Sequence, residues 1–407
     1  MANKLFSFFD KFSIFNTAQF GFRPGKSTTE ALIHLLKIIY ESLNTKKSLI
    51  NIQIDLRKAF DVVRHDILLD KLFHYGIRGV TLNWFRNYLF NRQHYVGIKN
   101  SASSLKPITI GVPQGSILGP ILFLIFINDM PNCSEFFSST LFADDSTFST
   151  SVENLTDSIQ SINTELIKIQ NWTLSNRLTI NVEKTEMMCF TKKPIEVNDG
   201  LVFLSGEALR FSDNCTFLGV KLDTNLTFKN HVSHIMNKLS KNTGILYRIK
   251  NNLTTEARLN YYHSLLLPYM SFNVIVWGST FKTYLEPLVL QQKRIVRIIA
   301  DAHYLEHTNP LFFKFKLLKF YDIYKFFVSI YMFNKIKSGA YMVKHSVNTR
   351  SRGMAQPVFQ RLTTTQHSID FCGPKVWNEL PLHIRNIEKL HTFKKQLKQH
   401  LIDQYIS

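Results

Sequence analysis

The sequence predicts an α+β fold, in which a sheet-and-helix part is followed by a mostly helical part. Three observations predict it. The run SLINIQIDL (48–56) is β-branched and alternates toward its end, as a buried strand does. Segments with apolar residues at helical spacing follow it. Beyond about residue 229 strand-like runs give way to helical ones such as HVSHIMNKLSKNTGILYRIK and YLEPLVLQQKRIVRIIA. With 407 residues, 45% of them hydrophobic and 19% charged, the chain has room for two or three domains and is too apolar for disorder.

The elements follow in order. DILLDKLFHYG (66–76) shows helical spacing closed by glycine, and GVTLNWFRNYLFNR (79–92) repeats it. HYVGIKN and KPITIGV read as a strand pair joined by the polar link SASS. After GVPQGSILG, the almost wholly apolar PILFLIFINDM reads as a helix buried beneath the sheet. STLFADDSTFST fits a hairpin whose tight turn is the pair Asp144–Asp145. A helix from Thr156 to Arg177 has Ile159, Ile162, Leu166, Ile169 and Trp172 at helical intervals, and short strands follow through TEMMCF and FLGVKL. The polar stretch HSVNTRSRGMAQP (345–357) is the best linker. Trp84, Trp172, Trp277 and Trp377 each lie in apolar periodic segments and are expected as core anchors.

Composition narrows the function classes. The longest apolar run, Ile117 to Ile127, is too short for a bilayer, which needs roughly 20 residues. The N-terminus lacks the pattern of a secretory signal, so an intracellular protein is expected, in nucleus or cytoplasm and off the membrane. Cys133, Cys189, Cys215 and Cys372 form no CxxC pair and read as reduced structural thiols. His231 and His234 are one turn apart without neighbouring ligands, which reads as a basic helix face. Charge is uneven: residues 1–228 carry 23 Lys and Arg against 21 Asp and Glu, whereas residues 229–407 carry 26 against 9. A balance of +17 in the second part suits a polyanion, nucleic acid first, with an anionic lipid surface or a plainly soluble basic face as alternatives.

Chemistry concentrates in three carboxylates. Asp55 ends the strand INIQIDL, and Asp144 and Asp145 sit in LFADDSTF. An adjacent Asp pair alone is commonly just a turn. Two neighbouring strands delivering carboxylates to one end of a sheet would instead make an anionic cluster that is costly unless cations fill it. Mg²⁺ takes oxygen ligands of this kind together with substrate phosphates. Two such ions about 4 Å apart serve phosphoryl transfer.

QIDLRKAFDVVRHDIL, GVPQGSILGPILFLIFINDM and LFADD resemble, in this order and spacing, the three central palm motifs of reverse transcriptases, most nearly those of LINE-type (non-LTR) retrotransposons. QFGFRPGKSTTEAL (19–32) is similar to the family's fingers motif, NWTLSNRLTINVEKTEMMCF to its next palm motif and FLGVKLD to its primer-grip strand. LLLPYMSFNVIVWG, LQQKRIVRII and the ending GPKVWNELPLHIRNIEKLHTFKKQLKQHL resemble the thumb and tail of the jockey and CR1-like branch. The resemblance implies a right-hand polymerase fold: partial fingers (1–48), a palm with a ferredoxin-like, RRM-type sheet (49–228), a helical thumb (229–300) and a basic C-terminal extension (301–407).

It also implies an RNA-directed DNA polymerase that extends a DNA primer's 3′ hydroxyl with dNTPs on an RNA template, using two Mg²⁺ ions with Mn²⁺ as a substitute. Asp55 and Asp144 would hold both ions while Asp145 completes the site. Phe60 matches the family's steric gate beneath the sugar, the plain alternative being a core Phe. Pro113, Gln114 and Gly115 match the loop lining the nucleotide pocket. Lys184 matches the Lys that protonates the pyrophosphate leaving group, the alternative being a solvated Lys. Arg23 and Lys26 would meet phosphates of template or nucleotide.

The sequence also departs from the family. Neither an endonuclease domain nor the Arg-Pro-Ile fingers motif precedes QFGFR, so an N-terminally truncated element is expected. The alternative function is a weak or inactive nucleic-acid-binding remnant. An RNA-templated RNA polymerase is a third, against which Phe60 argues.

Overall fold

The structure is a computed structural model that describes residues 1–193, 202–341, 354–358, 360–362 and 364–406. Most of the expected linker, residues 345–353, lies outside the described residues. The chain divides into two compact units, Met1–Asp213 and Asn214–Ser407.

In the first unit the elements run α1 (Ala2–Lys11), α2 (Thr28–Asn44), β1 (Ser48–Ile54), α3 (His65–His74), α4 (Gly79–Leu89), α5 (Leu118–Ile127), β2 (Ser138–Phe142), β3 (Asp145–Val152), α6 (Leu155–Ser175) and β4 (Glu186–Phe190). The four strands lie in the spatial order β2-β3-β1-β4, and every pairing is antiparallel. Helices between β1 and β2, a β2–β3 hairpin and α6 before β4 make this the split βαβ arrangement, so the α+β expectation holds.

Each element has a local cause. Ile50, Ile52 and Ile54 alternate along β1 into the core that also holds Phe148 and the helices α5 and α6. α5 needs no polar face because all of it except Pro120 is buried. Its carboxyl end is pinned by Lys71, whose ammonium lies 2.6 Å from both the Phe126 carbonyl and the Asp129 carboxylate. The Ser27 hydroxyl caps α2 by accepting from the Glu30 amide at 3.2 Å, and Asn154 caps α6 by accepting from the Thr156 amide at 3.1 Å.

Three expectations change here. Of the expected strand HYVGIKN only His94 pairs with the KPITIGV side, in a ribbon of Arg92–His94 and Lys106–Ile108, while Gly97–Ile98 pairs with Ser101–Ala102, so SASS is half strand rather than link. Phe142 pairs with Asp145, so the hairpin turn is Ala143–Asp144 and Asp145 already belongs to β3. Trp84 is 38% exposed rather than a core anchor, since the core-facing positions of its helix are taken by Phe85 and Leu89.

The second unit opens with a hairpin, β5 (Asn214–Phe217) and β6 (Val220–Asp223), and continues in helices. The longer ones are α7 (Lys229–Ile249), α8 (Lys282–Ala300), α9 (Phe320–Lys337), α10 (Ile369–Asn378) and α11 (Leu390–Asp403). Trp277 is fully buried, stacks on Phe320 at 5.6 Å and donates its indole N–H to the Phe272 carbonyl at 3.0 Å. Trp377 is likewise buried, against Phe393.

His231 corrects the expected basic face: it is buried with its ring edge against Trp277. Burial, then the positive charges of His234 and Lys221, push its pKa down to about 4, so the imidazole is neutral. Of the pair, only His234 is exposed. All four cysteines are free thiols. Among the described residues no helix is long and apolar enough to cross a membrane.

Candidate active site

The antiparallel register of β1 and β3 pairs Ile54 with Ser146. One step further along the same ladder, Asp55 comes opposite Asp145, and Asp144 stands next to it in the turn. Three carboxylates separated by some 90 positions in the sequence thus meet at one end of the sheet. The electrostatics agree. Asp145 is exposed, yet its carboxyl is pushed up to about 6, first by loss of surrounding water and then by the negative charges of Asp144 and Asp55.

Neighbouring segments fix the cluster. Asn181 donates from Nδ2 to the Asp55 carboxylate at 3.0 Å, and its amide donates to the Asp55 carbonyl at 2.8 Å. The hairpin turn is held from the other side by residues 18–21. The Leu141 amide donates to the Ala18 carbonyl and the Phe20 amide to the Leu141 carbonyl, both at 2.8 Å. Gln19, 1% exposed, accepts at Oε1 from the amides of Gly21 (2.7 Å) and Ala143 (3.0 Å). Ala143 sits at φ +55°, a left-handed conformation that costs an L-residue about 1–2 kcal/mol. Gly21 passes so close that a Cβ there would fall 2.4 Å from the Ala143 nitrogen.

The loop from Val112 to Gly119 lies beside the chain leaving β1. The Gly111 amide donates to the Val63 carbonyl at 2.7 Å and the Val112 amide to the Phe60 carbonyl at 2.9 Å. Gln114 donates from Nε2 to Asp61 at 2.7 Å, and Gly115 takes φ +77°, which favours glycine. The Ser116 hydroxyl donates to the Pro113 carbonyl at 2.7 Å and accepts from the Gly119 amide at 2.9 Å, closing the loop onto α5. Phe60 is half-buried, with its ring stacked on Phe123 of α5 at 4.2 Å and the edge of Phe22 at 6.4 Å.

Among the described residues, no three of His, Cys, Asp or Glu come together closely enough to hold a metal ion unaided. The cluster suits an ion that accepts one or two carboxylates and fills its other positions with water and phosphate oxygens, which is the habit of Mg²⁺.

A family model described as reverse transcriptase (RNA-dependent DNA polymerase) matches residues 1–222. The chain belongs to the reverse transcriptase family. It is 29% identical over 325 residues to the probable RNA-directed DNA polymerase from transposon BS of Drosophila melanogaster, covering 76% of this chain and 35% of that protein. It is 28% identical over 307 residues to the RNA-directed DNA polymerase from mobile element jockey of the same species, covering 72% and 33%. These relatives bear out the resemblance to the jockey branch, and the chain spans about a third of their length. Apo telomerase from Candida tropicalis is similar over 85% of this chain and 59% of that one, at 14% identity and a TM-score of 0.43.

Within this reverse transcriptase chain, the structure brings Asp55, Asp144 and Asp145 together and sets Phe60 beside the Pro113–Gly115 loop. Lys184 is exposed on a short 3₁₀ turn three residues after Asn181, the partner of Asp55. Arg23 has partners of its own within the chain. Its guanidinium donates to the carbonyls of Asn16 (2.9 Å) and Gln19 (3.3 Å) and lies over the Phe15 ring, so it braces the turn that carries Gln19. Lys26 lies over the Phe20 ring at 4.9 Å. Sequence reasoning missed Gln19, Asn181 and Asp61, which act on partners 124, 126 and 53 positions away. The sole local signal was that Gln19, Asp61 and Asn181 each fall inside a motif that resembles the family's.

Proposed function

We propose that this chain is the polymerase portion of a non-LTR retrotransposon protein, an RNA-directed DNA polymerase that extends a primer 3′ hydroxyl with dNTPs on an RNA template. The observation that carries it is the β1–β3 register, which sets Asp55 opposite Asp145 with Asp144 in the adjoining turn. Family membership and the names of the curated relatives support the same activity. In this reading the sheet and its helices are the palm (49–228), residues 1–48 a partial fingers region, residues 229–300 the thumb and 301–407 a basic extension that holds nucleic acid.

Asp55 and Asp144 would hold two Mg²⁺ ions, with Mn²⁺ as a substitute. The bound ions supply charge neutralisation for the triphosphate and the primer hydroxyl. Asp145 adds negative charge beside them, and Asn181 keeps Asp55 oriented. Phe60, braced by Phe123, would present its ring under the sugar and exclude a 2′ hydroxyl. Pro113, Gln114 and Gly115 would line the base-and-sugar pocket, with Asp61 positioning the Gln114 amide. Lys184 is the candidate proton donor to pyrophosphate. Arg23 braces the Gln19 segment and through it the hairpin turn that carries Asp144.

Asp144→Asn should lower Mg²⁺-dependent dNTP incorporation on a primed RNA template by at least about 100-fold, in line with loss of an electrostatic centre. Incorporation by that variant at the parent rate overturns the assignment. Phe60→Ala should raise rNTP use relative to dNTP use, and an unchanged ratio removes Phe60 as the gate.

A further inference from the structure

From Lys71 to Asn128 the chain contains no Asp or Glu and six Lys or Arg, in a unit whose charges as a whole nearly balance. The middle of this stretch builds an exposed platform. α4 puts Trp84 and Tyr88 one turn apart, with rings stacked at 5.5 Å and an interplanar angle of 9°. The Arg92 guanidinium lies 5.4 Å from the Tyr88 ring and extends the stack. Tyr88 also packs against the core, which fixes the ladder in place. Beyond it, Arg92–His94 and Lys106–Ile108 form a two-stranded ribbon in which every residue from Asn91 to Lys106 is exposed. Tyr95 is 61% and Ile98 68% exposed on the same arm.

We propose that this helix face and ribbon bind a single-stranded stretch of nucleic acid. Bases would stack on the Trp84–Tyr88–Arg92 ladder, and phosphates would run along Arg92, Lys99 and Lys106. A planar aromatic pair backed by a guanidinium offers each base a face without demanding a sequence, the way single-strand-binding surfaces work. The absence of any carboxylate over the whole stretch matches a polyanion. This surface is separate from the carboxylate cluster in composition and elements, and the proposal rests on the reading that the chain handles a polynucleotide.

The test uses the full chain and a fluorescein-labelled 20-nucleotide single-stranded RNA, with affinity read by anisotropy. Trp84→Ala should weaken binding about tenfold, the worth of one stacked base. Trp84 is the exposed one of four tryptophans, so its fluorescence should be quenched by unlabelled RNA in the parent and that quenching lost in the variant. A second variant, Arg92→Gln with Lys106→Gln, should make the dependence of log K on log salt shallower by about 1.4, two phosphate contacts on a single strand. Parent-like affinity, quenching and salt slope in both variants overturn the proposal, as would hold if the face served a protein. Incorporation by Asp144→Asn and RNA binding by Trp84→Ala separate the two readings. If Asp144→Asn abolishes incorporation while Trp84→Ala binds normally, the platform fails and the polymerase stands; the reverse pattern leaves the platform and removes the polymerase.

Discussion

Above pH 6 the Asp145 carboxylate is ionised close to Asp144 and Asp55, and the fold bears the repulsion. Its folded-state pKa of about 6 exceeds the ordinary value of 3.8, so between those limits the folded chain binds a proton that the unfolded chain does not. Stability from this group is therefore full below about pH 3.8 and lost as pH rises through about 6. Asp145→Asn should melt higher than the parent at pH 7.5, by about 1 kcal/mol once solvent screening is allowed for, and the two should converge near pH 4 in thermal melts. Added Mg²⁺ should narrow the gap at pH 7.5 by stabilising the parent. The three acids were legible in the sequence because their types are rare beside strands and their motifs lie in a fixed order. Gln19 and Asn181 were not, because each acts on a group far along the chain, and neither a buried amide acceptor such as Gln19 nor a half-buried amide donor such as Asn181 has spacing or periodicity to betray it.

The hairpin turn is an element-scale device: Ala143 holds a disfavoured conformation, and the 18–21 segment clamps it through two amides on Gln19. Gln19→Leu should leave those amides without an acceptor, costing about 1–3 kcal/mol in chemical unfolding. It should also slow incorporation about tenfold while KM for dNTP stays unchanged, since the nucleotide pocket is built by other residues. A parallel rise in KM would mean that Gln19 shapes the pocket instead. Gly21→Ala should destabilise by about 1–3 kcal/mol, because the added methyl meets backbone that cannot turn aside. Helices α5 and α6 were readable from their unbroken apolar patterns. Which residue enters the turn was not, since that depends on Phe142 pairing with Asp145 rather than on turn propensity. The same limit put Trp84 in the core: its helix repeats apolar residues on more faces than the fold can bury.

At the scale of the whole molecule, the charge asymmetry was legible by counting alone, and it belongs to the helical part. Lys238 and Lys241 are both exposed on α7. Replacing the two by Gln should make the salt dependence of RNA affinity shallower by about 1.4 to 1.8 while leaving the melting temperature within about a degree. Equal slopes in the two proteins would assign the second unit's charge to something other than phosphate contact. Burial could not be counted in the same way, and His231 shows it: a histidine one turn from another reads as surface until Trp277 is seen to cover it. The clamp on the hairpin has a last consequence for judging decayed copies of such elements. A copy shortened to begin at Arg23 would still spell every acid of the cluster, yet it would lack the strand contact and the glutamine that hold the turn in shape. Intact motifs are thus a poor gauge of competence, and the few residues ahead of Arg23 are the better place to look for damage.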